Sequence, residues 1–96
     1  MLKAEINRLL GLQYYSTSYR GLVYMSLKRF DFAIRDLTFA VVYNPNNSEA
    51  LFLRGIAYTM LGDRVNSYRD FVQSCALKNK RSCEILDNWT KENHSK

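Results

Sequence analysis

The sequence predicts an all-α fold: a helical-hairpin repeat of two units, with an N-terminal helical extension and a C-terminal capping helix. Three observations lead there. The chain echoes itself once, 34 residues apart: Arg20-Gly21-Leu22-Val23-Tyr24 returns as Arg54-Gly55-Ile56-Ala57-Tyr58, and Arg35-Asp36 as Arg69-Asp70. Apolar residues recur with helical period nearly throughout, and strand-like alternation is absent. Asn44-Pro45-Asn46-Asn47 is a strong break between helices. A short helical unit cannot bury its apolar face alone and must stack on a copy. The echo therefore points to stacking rather than to catalysis.

Taken in order, residues 1–13 form a helical segment, with an apolar stripe at Leu2, Ile6, Leu9 and Leu10 suited to covering another surface. Unit one spans 14–47 and holds helices over Tyr14–Leu27 and Asp31–Tyr43. Unit two spans 48–81, with helices over Glu49–Leu61 and Val65–Leu77. Ser48 is the expected N-cap of its first helix. Leu61-Gly62-Asp63 marks the turn inside unit two. Lys28-Arg29 takes the corresponding place in unit one, without glycine. Residues 82–96 supply a capping helix over Ser82–Lys91 and a polar tail, Glu92 to Lys96, expected to fray. Trp89 is expected to cap the exposed apolar face of unit two.

At 96 residues the chain is one domain at most, and 47 % apolar content is ample for a small core. No apolar run has the length needed to span a bilayer. Met1 to Leu12 carries Lys3, Glu5 and Arg8 and lacks an apolar h-region, so it does not read as a signal peptide. The net charge is +5, but the basic residues are scattered apart from Lys78, Lys80 and Arg81. That trio reads as a solvated helix C-terminus complementing the helix dipole. Nucleic-acid binding needs a longer basic stripe or a reading motif.

The two blocks resemble units of the tetratricopeptide repeat (TPR) family, over residues 14–81. Gly21 and Gly55 hold the small position where the two helices of a unit approach closely, and Tyr24 and Tyr58 the aromatic three residues on. The second helix brings small, bulky and small residues: Ala33, Leu37 and Ala40, then Ser67, Phe71 and Ser74. Pro45 matches the closing proline of the family; Asn79 stands there in unit two. Thr17 and Leu51, at the first family position, and Arg20 and Arg54, at the leucine before the glycine, depart from the commonest pattern. Each unit carries an Asp sixteen residues after that Arg, so folding the second helix back pairs Arg20 with Asp36 and Arg54 with Asp70. An anion-binding arginine is the alternative.

The resemblance implies a TPR-like α-solenoid whose first helices line a concave, partner-binding groove. The matching positions are Tyr15, Ser18, Tyr19, Leu22, Met25 and Ser26, then Glu49, Phe52, Leu53, Ile56, Thr59 and Met60. Chaperone-binding relatives use Lys, Asn and Arg there to clamp a terminal carboxylate, and this chain has none of them at those places. Aromatics, aliphatics and methionines suit an apolar or amphipathic helical partner instead. The same residues also fit self-occlusion by Met1–Leu12 or by a second copy.

Cys75 and Cys83 resemble the Cys-x7-Cys staple of cysteine-rich, Sel1-like repeat proteins of bacteria. That resemblance implies a disulfide and an oxidising compartment, periplasmic or secreted. Two buried thiols in a cytoplasmic protein are the other reading. Two Cys and His94 are too few for a metal site, and no cofactor is expected. Dispersed carboxylates, no Gly-rich phosphate loop and no nucleophile motif argue against an enzyme. Asn46-Asn47-Ser48, Asn88-Trp89-Thr90 and Asn93-His94-Ser95 fit the glycosylation pattern, as chance allows in an Asn-rich chain. The leading expectation is a protein–protein interaction scaffold binding an apolar peptide or amphipathic helix. The alternatives are an assembly unit self-associating through the groove or the repeat ends and, less favoured, a basic nucleic-acid binder.

Overall fold

The computed structural model describes residues 19–94, with side chains described as far as Lys91. Expectations for the segment 1–13, for Tyr15 and Ser18, and for the end of the tail fall outside the described residues. Within them the chain is all-α. Helix α1 occupies residues 19–26, α2 Phe30–Tyr43, α3 Ser48–Met60, α4 Arg64–Ala76 and α5 Lys80–His94.

Each helix folds back on the one before it. Contacts between α3 and α4 pair Gly55 with Phe71, Thr59 with Ser67 and Ser48 with Ser74. As one residue number rises the other falls, so the helices are antiparallel. Gly21 with Leu37 and Arg20 with Asp36 relate α1 to α2 in the same way.

The echoed glycines are where these pairs come closest. A Cβ on Gly21 would lie 2.9 Å from Leu37, and one on Gly55 would lie 2.8 Å from the Phe71 ring. No carbon pair tolerates that separation, so any larger residue pushes the helices apart. Leu37 and Phe71 are fully buried, flanked by Ala33 and Ala40 in unit one and by Ser67 and Ser74 in unit two. The serines carry hydroxyls into the interior and satisfy them. Ser67 donates to the Gly55 carbonyl at 3.0 Å, and Ser74 donates to the Ser48 carbonyl at 2.8 Å. Ser82, also buried, donates to Ser74 at 2.7 Å. A buried hydroxyl left unpaired would cost about 1–3 kcal/mol, so serine is acceptable here only because these carbonyls face it.

Three turns share one left-handed residue: Lys28 (φ 60°), Gly62 (φ 80°) and Lys78 (φ 75°). In each, the amide after that residue bonds back to a carbonyl in the last turn, as Arg29 does to Tyr24, Asp63 to Tyr58 and Asn79 to Ser74. This is the helix-ending geometry that glycine adopts freely and lysine adopts at a cost. The next residue then caps the following helix: Asp63 accepts from Asn66 N, and Asn79 from Ser82 N. Arg29 makes no such bond.

Some boundaries differ from the sequence reading. Asn47, not Ser48, caps α3, accepting from Ala50 N at 3.0 Å; its side chain reaches that amide from one residue further back, which makes Ser48 the first helical residue. The capping helix starts at Lys80 and runs to His94, past the expected end at Lys91. That start corrects the reading of the basic trio. Lys78 forms the turn, while Lys80 and Arg81 sit in the first turn of α5. There the dipole disfavours a cation; for Arg81 the Glu49 carboxylate offsets this.

Candidate partner-binding groove

Side chains on α1 and α3 meet around a cleft of about 270 Å³ lined by Tyr19, Leu22, Glu49 and Leu53. Tyr19 is 71 % exposed and Leu22 46 % exposed. Leu53 and Met25 are half-buried against the core of Ala33, Leu37, Ala40 and Ala50. Ile56 is half-buried as well, and Met60, at 62 % exposure, lies at the end of α3. Ser26 and Thr59 spend their hydroxyls on helix carbonyls, those of Leu22 and Gly55.

Two groove expectations change. Phe52 is only 8 % exposed and belongs to the interior, its ring tilted against Phe71 at 6.2 Å. The helical stripe Ser48, Leu51, Phe52, Gly55 already carried that signal: residues three and four apart share one face. The family register had placed Phe52 on the neighbouring face. Glu49 lines the cleft but is not a free acid. Both of its carboxylate oxygens lie 2.6 Å from Arg81 Nη2, and Asn79 Nδ2 reaches it at 3.5 Å. The Arg81 guanidinium also lies over the Phe52 ring at 4.4 Å. Sequence reading missed this tie between α3 and α5, because no local pattern links residues so far apart.

An Arg–Asp pair joins the two helices of each unit. Arg20 donates to Asp36 at 2.9 and 3.1 Å, and Arg54 to Asp70 at 2.8 and 2.8 Å. Both are two-pronged, the geometry in which guanidinium and carboxylate bind best. The hydrogen bonds that Arg54 donates to the Asp70 carboxylate hold its pKa above the ordinary value, against the opposing effect of burial. Asp36 does the same for the exposed Arg20. Each arginine is paired with the carboxylate of its own unit rather than offered to an anion.

At the far end, Cys75 and Cys83 are joined, with sulfurs 2.00 Å apart and Cα atoms 4.8 Å apart. The bond ties the last turn of α4 to the first turn of α5. Trp89 packs edge-on to Phe71 at 5.8 Å and stacks on Tyr68 at 6.3 Å. Among the described residues, no helix is long and apolar enough to cross a membrane. No family model matches the chain, and no curated protein matches it.

Proposed function

We propose that this chain is a protein-interaction module of two TPR-like units that holds an apolar peptide or amphipathic helix of a partner in the groove formed by α1 and α3. The carrying observation is the cleft at Tyr19, Leu22, Glu49 and Leu53, where an aromatic and an aliphatic side chain stay exposed beside half-buried neighbours. Apolar side chains left at a concave site gain about 25 cal/mol per Å² when a partner covers them. The TPR-like reading is supported by the recurrence of one contact set, glycine against the bulky residue and Arg against Asp, at the same register in both units.

The test compares wild-type protein with Leu22→Glu in capture from native lysate. Leu22 is exposed, so the variant should keep its unfolding midpoint, within about 0.5 kcal/mol of wild type. The expected result is loss of the specifically bound proteins. Equal capture by a folded Leu22→Glu protein would end the groove reading. A second reading, self-association, is favoured by the exposure of Phe39, Val42 and Tyr43 on α2. Light scattering distinguishes it: a dimer that grows with concentration and is lost in Val42→Glu would make the α2 face a contact between copies.

A further inference from the structure

We propose that the cleft between α4 and α5 is a second recognition site, which takes the carboxylate side chain of an acidic, leucine-bearing peptide segment on Arg64. It is a cavity of about 420 Å³ lined by Arg64, Tyr68, Leu86, Trp89 and Thr90, and it shares no lining residue with the α1–α3 groove.

The molecule repeats one pattern. Four arginines hold the guanidinium carbon over an aromatic ring: Arg35 over Phe32, Arg54 over Tyr58, Arg64 over Trp89 at 5.5 Å and Arg81 over Phe52. A ring attracts the cation but accepts none of its N–H bonds as a carboxylate would, so those donors still call for a partner. Two of the four donate to a carboxylate at short range, Arg54 to Asp70 and Arg81 to Glu49, and Arg35 Nε has Asp36 within ion-pair range at 3.9 Å. Arg64 is the exception. Among the described residues no carboxylate pairs with it, although Asp63 is its neighbour in sequence. Asp63 is committed to capping, accepting from the amide and the side chain of Asn66 at 3.2 and 2.8 Å. So the Arg–aromatic pair without a carboxylate among the described residues lines a cavity.

The surroundings specify the rest of the ligand. A second cleft, of about 400 Å³, meets the first at Tyr68 and is lined by Arg69, Val72 and Gln73. Val65, Tyr68 and Val72 are exposed along α4. A segment that seats a Glu or Asp at Arg64 therefore has an apolar strip and a second cation beside it. The chain's net charge of +5 favours an acidic partner at long range.

Trp89 is the only tryptophan, so its emission reads the cleft directly. The probes are the capped hexapeptide Gly-Glu-Leu-Gly-Glu-Leu, its counterpart with Gln for Glu, and oligothymidylate, each titrated at low salt. The expected result is a saturable emission change with the Glu peptide, about tenfold weaker with the Gln peptide and with Arg64→Gln. Leu22→Glu should leave it unchanged, which separates this site from the groove. Equal affinity for both peptides, full affinity in Arg64→Gln, or no saturable change at millimolar Glu peptide would each overturn the proposal. So would a response to oligothymidylate alone.

Discussion

Units one and two carry the same framework in different surroundings. Arg20 and Arg54 occupy one register and make the same two-pronged pair, yet the Arg20 side chain is 57 % exposed and that of Arg54 only 16 %. The reason is position in the stack. Arg54 sits between two second helices, bonding Asp70 on α4 and Thr38 on α2, the latter at 3.1 Å. Arg20 bonds Asp36 on α2, with no second bond of that kind among the described residues. An identical pair of residues therefore does different work according to what closes over it. The turns differ too: unit two uses Gly62 and a capping Asp63, whereas unit one forces Lys28 into the left-handed region and leaves α2 uncapped.

The largest effect should come from breaking the enclosed pair. Arg54→Ala strands the buried Asp70 and should cost about 3–5 kcal/mol. Arg20→Ala also strands a buried carboxylate, but removing an arginine that is 57 % exposed lets water reach Asp36, so it should cost less, about 1–3 kcal/mol. Chemical denaturation of both variants measures the gap, and equal losses would mean that burial is not what distinguishes the units. Next comes the joint after each unit. Cys75 and Cys83 stand where unit one has Val41 and Glu49, so only the second joint is stapled. Reduction, or Cys83→Ser, should cost about 2–3 kcal/mol. Loss of Trp89 packing should appear in its fluorescence before helicity falls.

Smaller effects test the turns. Lys28→Gly relieves left-handed strain and should stabilise unit one by about 1 kcal/mol. Adding Arg29→Asp should supply the missing cap for about 1 kcal/mol more. Gly62→Ala should move the other way, since its φ of 80° strains any side chain. The smallest signal is a pH dependence. The side-chain and backbone donors of Asn66 hold the Asp63 carboxyl below its ordinary pKa. A lowered folded pKa gives stability that is full above the unfolded value and is lost as pH falls through the folded one. Amide exchange at the start of α4 should therefore rise below about pH 4. Asp63→Asn, which keeps a cap without a charge, should remove that rise, and uncapped α2 should not show it.

How much of this was legible in the sequence depends on how each feature is encoded. The Gly21 and Gly55 contacts and the Arg–Asp spacing repeat at a fixed interval, so they are visible without coordinates. Phe52 was misplaced because neighbouring faces of a helix are about 100° apart and family register alone does not choose between them. The Arg81–Glu49–Phe52 tie and the Arg64–Trp89 contact join residues on different helices, with no periodic signal to announce them.

Periodicity, the echoed Arg-Gly-x-x-Tyr and the Asn-Pro-Asn-Asn break determined by themselves an all-α chain folded as paired helices, because each acts through local geometry or strict repetition. Only the tertiary structure decided which of two equivalent arginines is enclosed, which groove residues reach solvent, and which arginine over a ring lacks a carboxylate. Those outcomes depend on what packs across from a side chain, and residues on other helices, 16 to 32 positions away, supply it.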